Sequence, residues 1–227
     1  MIPEKLLNQL DQSPSYQTLL KKVEQLIEQH SDRLIIAIAG LPGSGKSTMA
    51  DYISQRLKQQ HCEQVISVSL DGFHYSKAQL KRFADPEAAF ARRGAPWTFD
   101  SAQFCLRLAQ FKQQPQQTLY WPSFDHSHGD PIENDIRITS DTKVLIVEGL
   151  YVLHQKHGFE KAQAWIDESW YIDLDIDTAM LQLAKRHQQA WGISETEARQ
   201  RIAQNDALNA QIADQSRVFA DHIIRVG

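Results

Sequence analysis

The octapeptide Gly40-Leu41-Pro42-Gly43-Ser44-Gly45-Lys46-Ser47 leaves this chain few folds to choose from. It follows the apolar run Leu34-Ile35-Ile36-Ala37-Ile38-Ala39 and leads into a helix-forming stretch. Glycines let a backbone wrap around phosphate groups with its N–H groups pointing inward, and the helix behind turns its positive dipole end toward them. Lys46 is then placed to reach the β- and γ-phosphates, and the Ser47 hydroxyl to ligate Mg²⁺. With Thr48 next in line, residues 40 to 48 are expected to bind a nucleoside triphosphate, ATP together with Mg²⁺.

A chain of 227 residues buries roughly 70–75% of its extended surface around one sizeable core. The expectation is a single domain over 1–227. The net charge of −4 and a pI near 6.1 supply no global basic field, which argues against nucleic acid as the main partner. Cys62 and Cys105 lack metal-ligand spacing and read as unpaired thiols in a reducing compartment. The start of the chain, Met1-Ile2-Pro3-Glu4-Lys5, lacks a cationic head before an apolar core, and no apolar run approaches the length of a membrane span. The expected setting is the cytoplasm, with no membrane partner.

Leu6, Leu7 and Leu10, then Tyr16, Leu19, Leu20, Val23, Leu26 and Ile27, recur at helical spacing and predict two leading helices within 1–33, the second capped by Ser15. Their apolar face either packs on the sheet or joins two copies in a homodimer. Five runs suit buried parallel strands: Leu34 to Ala39, Val65 to Leu70, Val144 to Val147, Trp170 to Leu174 and His222 to Val226. Helical patterns between most of them predict an α/β, doubly wound, five-stranded parallel sheet with helices on both faces, a P-loop NTPase architecture. The stretch 73–143 is too long for a plain crossover. Ser101 to Phe111 has helical periodicity, Leu119-Tyr120-Trp121 and Ile136-Arg137-Ile138 predict short strands, and the whole reads as a substrate-binding insertion. Gln110 to Gln117 reads as a solvated loop around Pro115.

Two strands end in an acid followed by glycine. Val65 to Leu70 runs into Asp71-Gly72-Phe73-His74-Tyr75, and Val144 to Val147 into Glu148-Gly149. Ligands of open α/β sheets bind outside the carboxyl ends of the strands, so Asp71, Glu148 and Lys46 should face one crevice. A carboxylate there can accept the proton of an attacking hydroxyl and align it with the γ-phosphate, or help Ser47 hold Mg²⁺, directly or through a water. Asp71 fits the first task and lies near the metal; Glu148 fits the second. An Asp-Gly turn that only bonds its own backbone is the structural alternative. Trp170 to Asp177 runs into a helix carrying Lys185, Arg186 and His187. A break at Trp191-Gly192-Ile193 then precedes a helix start at Ser194-Glu195-Thr196-Glu197. Residues 178–204 are expected to form a lid of two short helices that brings Arg186 to the transferring phosphate.

The insertion mixes aromatic with polar residues in Arg92 to Asp100 and in Tyr120 to Pro131, a composition suited to a small hydroxylated ligand. A zinc site from His74, His126 and His128 lacks a further ligand and competes with magnesium chemistry that already accounts for the motif.

Together, the phosphate loop and the strands ending in Asp71-Gly72-Phe73-His74-Tyr75 and Glu148-Gly149 resemble the phosphoribulokinase, uridine kinase and pantothenate kinase family. Arg93-Gly94-Ala95-Pro96 through Phe99-Asp100 is similar to a segment of bacterial pantothenate kinase. Phe124-Asp125-His126 resembles a segment through which family members contact substrate, and Asn205-Asp206 with Asn209 resembles the segment near the nucleotide base. The resemblance implies transfer of the ATP γ-phosphate to a hydroxyl of a small pantothenate-, nucleoside- or sugar-like metabolite. Asp71 would be the base, Lys46 and Arg186 would act on the phosphates, and Ser47, Glu148 and Asp71 would form the magnesium site. His74, Tyr75, Arg93, Phe124, Asp125 and His126 would meet the acceptor. Uridine kinases differ around Asp71, where this chain has Gly72-Phe73-His74. The reading from another class is a nucleotide-dependent regulatory ATPase or switch whose insertion grips a protein partner. A GTPase form lacks an Asn-Lys-x-Asp motif and an Asp-x-x-Gly switch.

Overall fold

Every residue of strand β1 (Leu34–Gly40) is buried, and the rest of the molecule is arranged around it. The computed structural model describes residues 2–60, 64–125 and 127–225; Cys62, His126 and Val226 lie outside them. β1 is flanked by β5 (Val144–Glu148) and β6 (Glu168–Asp173), with β2 (Val65–Ser69) at one edge and β7 (His222–Arg225) at the other. The order is β2-β5-β1-β6-β7, parallel throughout. All five carboxyl ends therefore open on one side, where the phosphate loop leaves β1.

Period-two alternation along β1 feeds two cores. Ile36 and Ile38 point to one face, where α1 (Glu4–Leu10), α2 (Pro14–Gln29) and α3 (Lys46–Gln59) contribute Leu7, Leu19, Leu20, Val23, Tyr52 and Ile53. Ile35, Ala37 and Ala39 point to the other, against Phe104, Phe111, Trp121, Tyr151 and Phe159. The leading helices thus pack on the sheet, with Leu7, Leu19, Leu20 and Val23 in the core. Ser15 is not the cap of α2. That helix begins at Pro14 after Ser13, because proline suits the first helical position, and Ser15 Oγ instead donates to the Arg225 carbonyl at 2.8 Å.

The stretch 73–143 holds short helices α4 (Lys77–Leu80) and α5 (Pro86–Ala91), the longer α6 (Ser101–Gln113), and an antiparallel hairpin of β3 (Leu119–Asp125) and β4 (Asp130–Ile138). The hairpin strands run well beyond the two three-residue predictions. α6 continues through Gln113, so only the end of the Gln110 to Gln117 stretch is loop. Past β6 come α7 (Ile176–Trp191), closed by Gly192 in the left-handed region at φ 64°, and α8 (Glu195–Arg201), opened by a reciprocal Ser194–Glu197 capping box. α7, with sixteen residues, is longer than the expected short helix. A π-helical stretch, Ile202–Asp206, joins α8 to α9 (Ala207–Asp214). No helix among the described residues is long and apolar enough to cross a membrane.

Candidate active site

The phosphate loop is held open by three glycines in conformations that side chains rarely adopt: Gly40, Gly43 and Gly45, at φ 154°, 80° and 89°. A Cβ on Gly43 would lie 2.5 Å from the Ala179 carbonyl oxygen, so the loop touches the backbone of α7 directly. Gly45 caps α3 without a side-chain hydrogen bond, which leaves the first N–H groups of that helix directed at the loop. Ser44 Oγ is buried without a partner, and such orphaned groups are rare in native proteins outside functional or strained sites. Lys46 is only 7% exposed and donates to the Leu41 carbonyl at 2.9 Å. Burial pushes its ammonium below the ordinary value, against the pull of Glu148 and then Asp71, while Arg186 adds to the depression.

Glu148 closes β5 in register with Ile38 on one side and Ser69 on the other. It is 8% exposed. Burial holds its carboxyl above the usual range, opposed by Lys46 and by the Ser69 and Ser47 hydroxyls, while Asp71 pushes upward like burial. Asp71 sits two residues beyond β2 in a 3₁₀ turn, Leu70–Phe73, with its N–H held by Ser69 Oγ at 3.1 Å. Both following glycines are required by close packing. A Cβ on Gly72 would fall 2.1 Å from the Pro122 carbonyl oxygen, and one on Gly149 2.5 Å from Leu70 Cβ.

Two adjoining cavities share Ser47, Asp71, Phe124, Glu148 and Arg186. One continues past Asp51, Ser67 and Ser69 toward the hairpin; the other passes Gly43 and Lys46 to His74, Arg93, Phe99, Trp191, Asn205 and Asn209. Arg186 is exposed. The His74 ring lies against Phe99 and Phe124, with centroids 3.9 and 4.7 Å away, and its Nδ1 lies 2.8 Å from the Asp71 carbonyl oxygen. Thr48, Tyr75 and Asp125 do not line either cavity. Tyr75 faces a neighbouring hollow behind the Asp71 turn with Gln79, Asp100 and Arg107. Asp125 is occupied at the hairpin tip, where Ser127 and then His128 hydrogen bonds hold its carboxyl far below the ordinary range. His126 lies outside the described residues.

The two arginines of the insertion are also engaged. Arg93 donates to the Gly129 carbonyl, to the Tyr75 carbonyl at 2.9 Å and to Asp130 at 2.9 Å. Arg92 donates to Asn205 Oδ1 at 2.8 Å and Asn209 Oδ1 at 3.0 Å, while Asn205 Nδ2 returns a bond to the Arg93 carbonyl at 2.8 Å. This clasp ties the insertion to the π-helical stretch, a feature often found at functional sites. Sequence reasoning missed Asp51, which stands one helical turn after Ser47 and accepts from Ser67 at 2.8 Å. It also missed Trp191, stacked between buried His187 (4.4 Å) and the Arg201 guanidinium (4.2 Å). The i, i+4 spacing from Ser47 is the one available signal for Asp51.

The donor set suits Mg²⁺. Ser47 and Glu148 offer oxygen donors beside the phosphate loop, and this ion takes few protein ligands because phosphates and waters supply the rest. Among the described residues no group of three or more His, Cys, Asp or Glu side chains could hold a metal ion, which magnesium of this kind does not require.

A phosphate loop on β1 of a parallel sheet, with carboxylates at the ends of β2 and β5, defines the class: a P-loop kinase. The model of the phosphoribulokinase / uridine kinase family matches residues 35–226, and the chain belongs to that family. It is 35% identical over 214 residues to a Schizosaccharomyces pombe protein named "Putative uridine kinase", covering 93% of this chain and 90% of that one. The crystal structure of a "putative fructose transport system kinase" from Silicibacter sp. TM1040 superposes with a TM-score of 0.81 at 27% identity, covering 93% of this chain and 98% of that one. Phosphoribulokinase from Rhodobacter spheroides, at 15% identity and a TM-score of 0.64 over 86% of this chain and 71% of that one, shares the fold. The protein is an ATP-dependent phosphotransferase with an alcohol group as acceptor.

Proposed function

We propose that the chain moves the γ-phosphate of ATP to a hydroxyl of a small pantothenate-, nucleoside- or sugar-like metabolite, with Asp71 as general base. The observation that carries this reading is the position of Asp71 on the wall shared by both cavities, opposite the phosphate loop. Asp71 accepts the acceptor's proton as the oxygen attacks, and the orientation it imposes lowers the entropic part of the barrier. Lys46 and the N–H groups at the start of α3 bind the phosphates of the donor, with residues 40 to 48 forming its cradle. Ser47 and Glu148 would hold Mg²⁺, with Asp71 nearby; the ion neutralises phosphate charge when bound. Arg186, on α7, faces the same space and stabilises charge on the transferring group, with 178–204 acting as a lid over the donor. The 73–143 insertion forms the acceptor wall through His74, Phe99 and Phe124, and Arg93 shapes it by anchoring the hairpin.

Two relatives' names point to different acceptors, uridine for the fission yeast protein and a fructose transport system for the Silicibacter structure. The reading is tested by ADP release in the presence of ATP and Mg²⁺ against nucleosides, free sugars, pentose phosphates and pantothenate, beside Asp71→Asn. One acceptor should stimulate turnover and the variant should abolish that stimulation while retaining ATP. Acceptor-independent turnover that survives the substitution would instead establish the regulatory ATPase reading, in which the insertion grips a partner.

A further inference from the structure

We infer that the acceptor is an uncharged polyhydroxylated molecule, a sugar or polyol, and neither a nucleoside nor an already phosphorylated compound; this rests on the kinase reading above and narrows it. The first observation is steric. A site that selects a flat heterocycle needs apposed aromatic faces with room between them. Here the two phenyl rings that border the Asp71 cavity, Phe99 and Phe124, each lie against the same imidazole, at centroid distances of 3.9 and 4.7 Å and interplanar angles of 38° and 43°. The chain's own His74 fills the place a base would take.

That ring is fixed on several sides. Its Nδ1 reaches the Asp71 carbonyl at 2.8 Å. Its backbone bridges to Phe99, and the bonds Tyr75 N–H to Thr98 O (2.9 Å) and Asp100 N–H to Phe73 O (2.8 Å) lie to either side of the bridge. Phe99 is 4% exposed and rests edge-on against Tyr151 at 5.5 Å. Moving the imidazole aside to admit a base would disturb the turn that carries Asp71.

The second observation is electrostatic and independent of the first. A phosphate or carboxylate on the acceptor must be met by a cation that is not already satisfied. Arg93, the cation on this wall, spends both terminal nitrogens on two carbonyls and Asp130; its Nε has no partner among the described residues but is buried, out of reach of solvent. Arg92 is held by Asn205 and Asn209. Lys46 belongs to the phosphate loop, Arg201 lies on Trp191, and Arg186 faces the transferring group. Asp71 and Glu148 would meanwhile repel an anion beside them. Hydroxyl groups meet no such penalty, because carboxylate, amide and backbone carbonyl oxygens on these walls all accept from them.

The test uses the wild-type protein with ATP and Mg²⁺ and reads ADP formation in separate arms: free hexoses, pentoses and glycerol; uridine, cytidine and adenosine; ribulose 5-phosphate, glycerate and pantothenate. Each arm is repeated with Asp71→Asn. The neutral sugar or polyol arm should raise turnover at least about tenfold over the acceptor-free rate, within the discrimination a shaped pocket can supply. The other arms should leave it within about twofold. His74→Ala, which empties the slot, should shift the ratio of uridine to sugar turnover toward uridine by about tenfold or more. Stimulation greatest with a nucleoside, a phosphorylated compound or a carboxylate, and abolished in Asp71→Asn, overturns this inference and leaves the kinase reading standing. Stimulation by no arm overturns both.

Discussion

The two acid-glycine turns, Asp71-Gly72 after β2 and Glu148-Gly149 after β5, look alike in sequence and differ in the fold. Glu148 is the last residue of its strand, buried between neighbours on both sides. Both acids line the same two cavities, but Asp71 lies beyond its strand in a 3₁₀ turn and is only half-buried. Two residues past the strand end separate an acid buried within the sheet from one held in a half-open turn. The turns also interlock, since Gly149 leaves room for Leu70, the residue preceding Asp71. A strand-terminal acid by itself is thus ambiguous, and its position relative to the last hydrogen-bonded pair decides which task it can perform.

The largest test of that division is Asp71→Asn. Loss of a general base costs about 10²–10⁴ in turnover, and kcat should fall by that amount while ATP affinity changes little in a calorimetric titration. A loss confined to KM for ATP would place Asp71 with the donor. Glu148→Gln should act next most strongly, raising the Mg²⁺ concentration needed for half-maximal rate by roughly 10–100-fold, a signature Asp71→Asn should not share. Because burial raises the Glu148 carboxyl, it gains its proton at a higher pH than an ordinary glutamate. In the proposed metal role the charged form is the working one, so activity should fall on acidification through that raised value. The Gln variant should flatten this acid limb of the kcat/KM profile.

Smaller effects sharpen the comparison through the glycines. Gly72→Ala and Gly149→Ala each force a methyl into occupied space, an overpacking cost of about 1–3 kcal/mol, measurable as a lower urea midpoint. Gly72→Ala should be the harsher because its methyl meets a backbone carbonyl rather than a leucine side chain. The smallest change is expected for Arg92→Lys. It keeps the charge but cannot span Asn205 and Asn209 in the same planar fork, and it should raise the acceptor KM by a few-fold, roughly 1 kcal/mol, with stability nearly intact.

The sheet was legible because buried parallel strands are apolar runs and the phosphate loop dictates what flanks it. Asp71, Glu148, Lys46 and Arg186 were legible because strand ends and helix positions carry them to a known side of such a sheet. The rest depends on contacts with no local signature. That Arg93 is tied up in internal hydrogen bonds could not be read from its neighbours in the chain, since two of its acceptors are backbone carbonyls, which any residue provides. The Arg92 clasp joins positions 113 and 117 residues apart. Asp125 looked like a ligand of substrate because an Asp at a hairpin tip and an Asp in a pocket share one sequence. Ser13 and Ser15 flank Pro14 and are equally good caps by residue type; the proline's fit to the first helical position is what places Ser13 there.

The contact between Gly43 and the Ala179 carbonyl has a thermodynamic reading. Loop and α7 share a surface too tight for a methyl group, so a change in one is felt by the other. Whatever free energy nucleotide binding invests in shifting α7, a restraint on α7 must return as altered nucleotide affinity, by the reciprocity of linked equilibria. A crosslink or antibody fragment that pins α7 would then tune affinity for the nucleotide from outside its site.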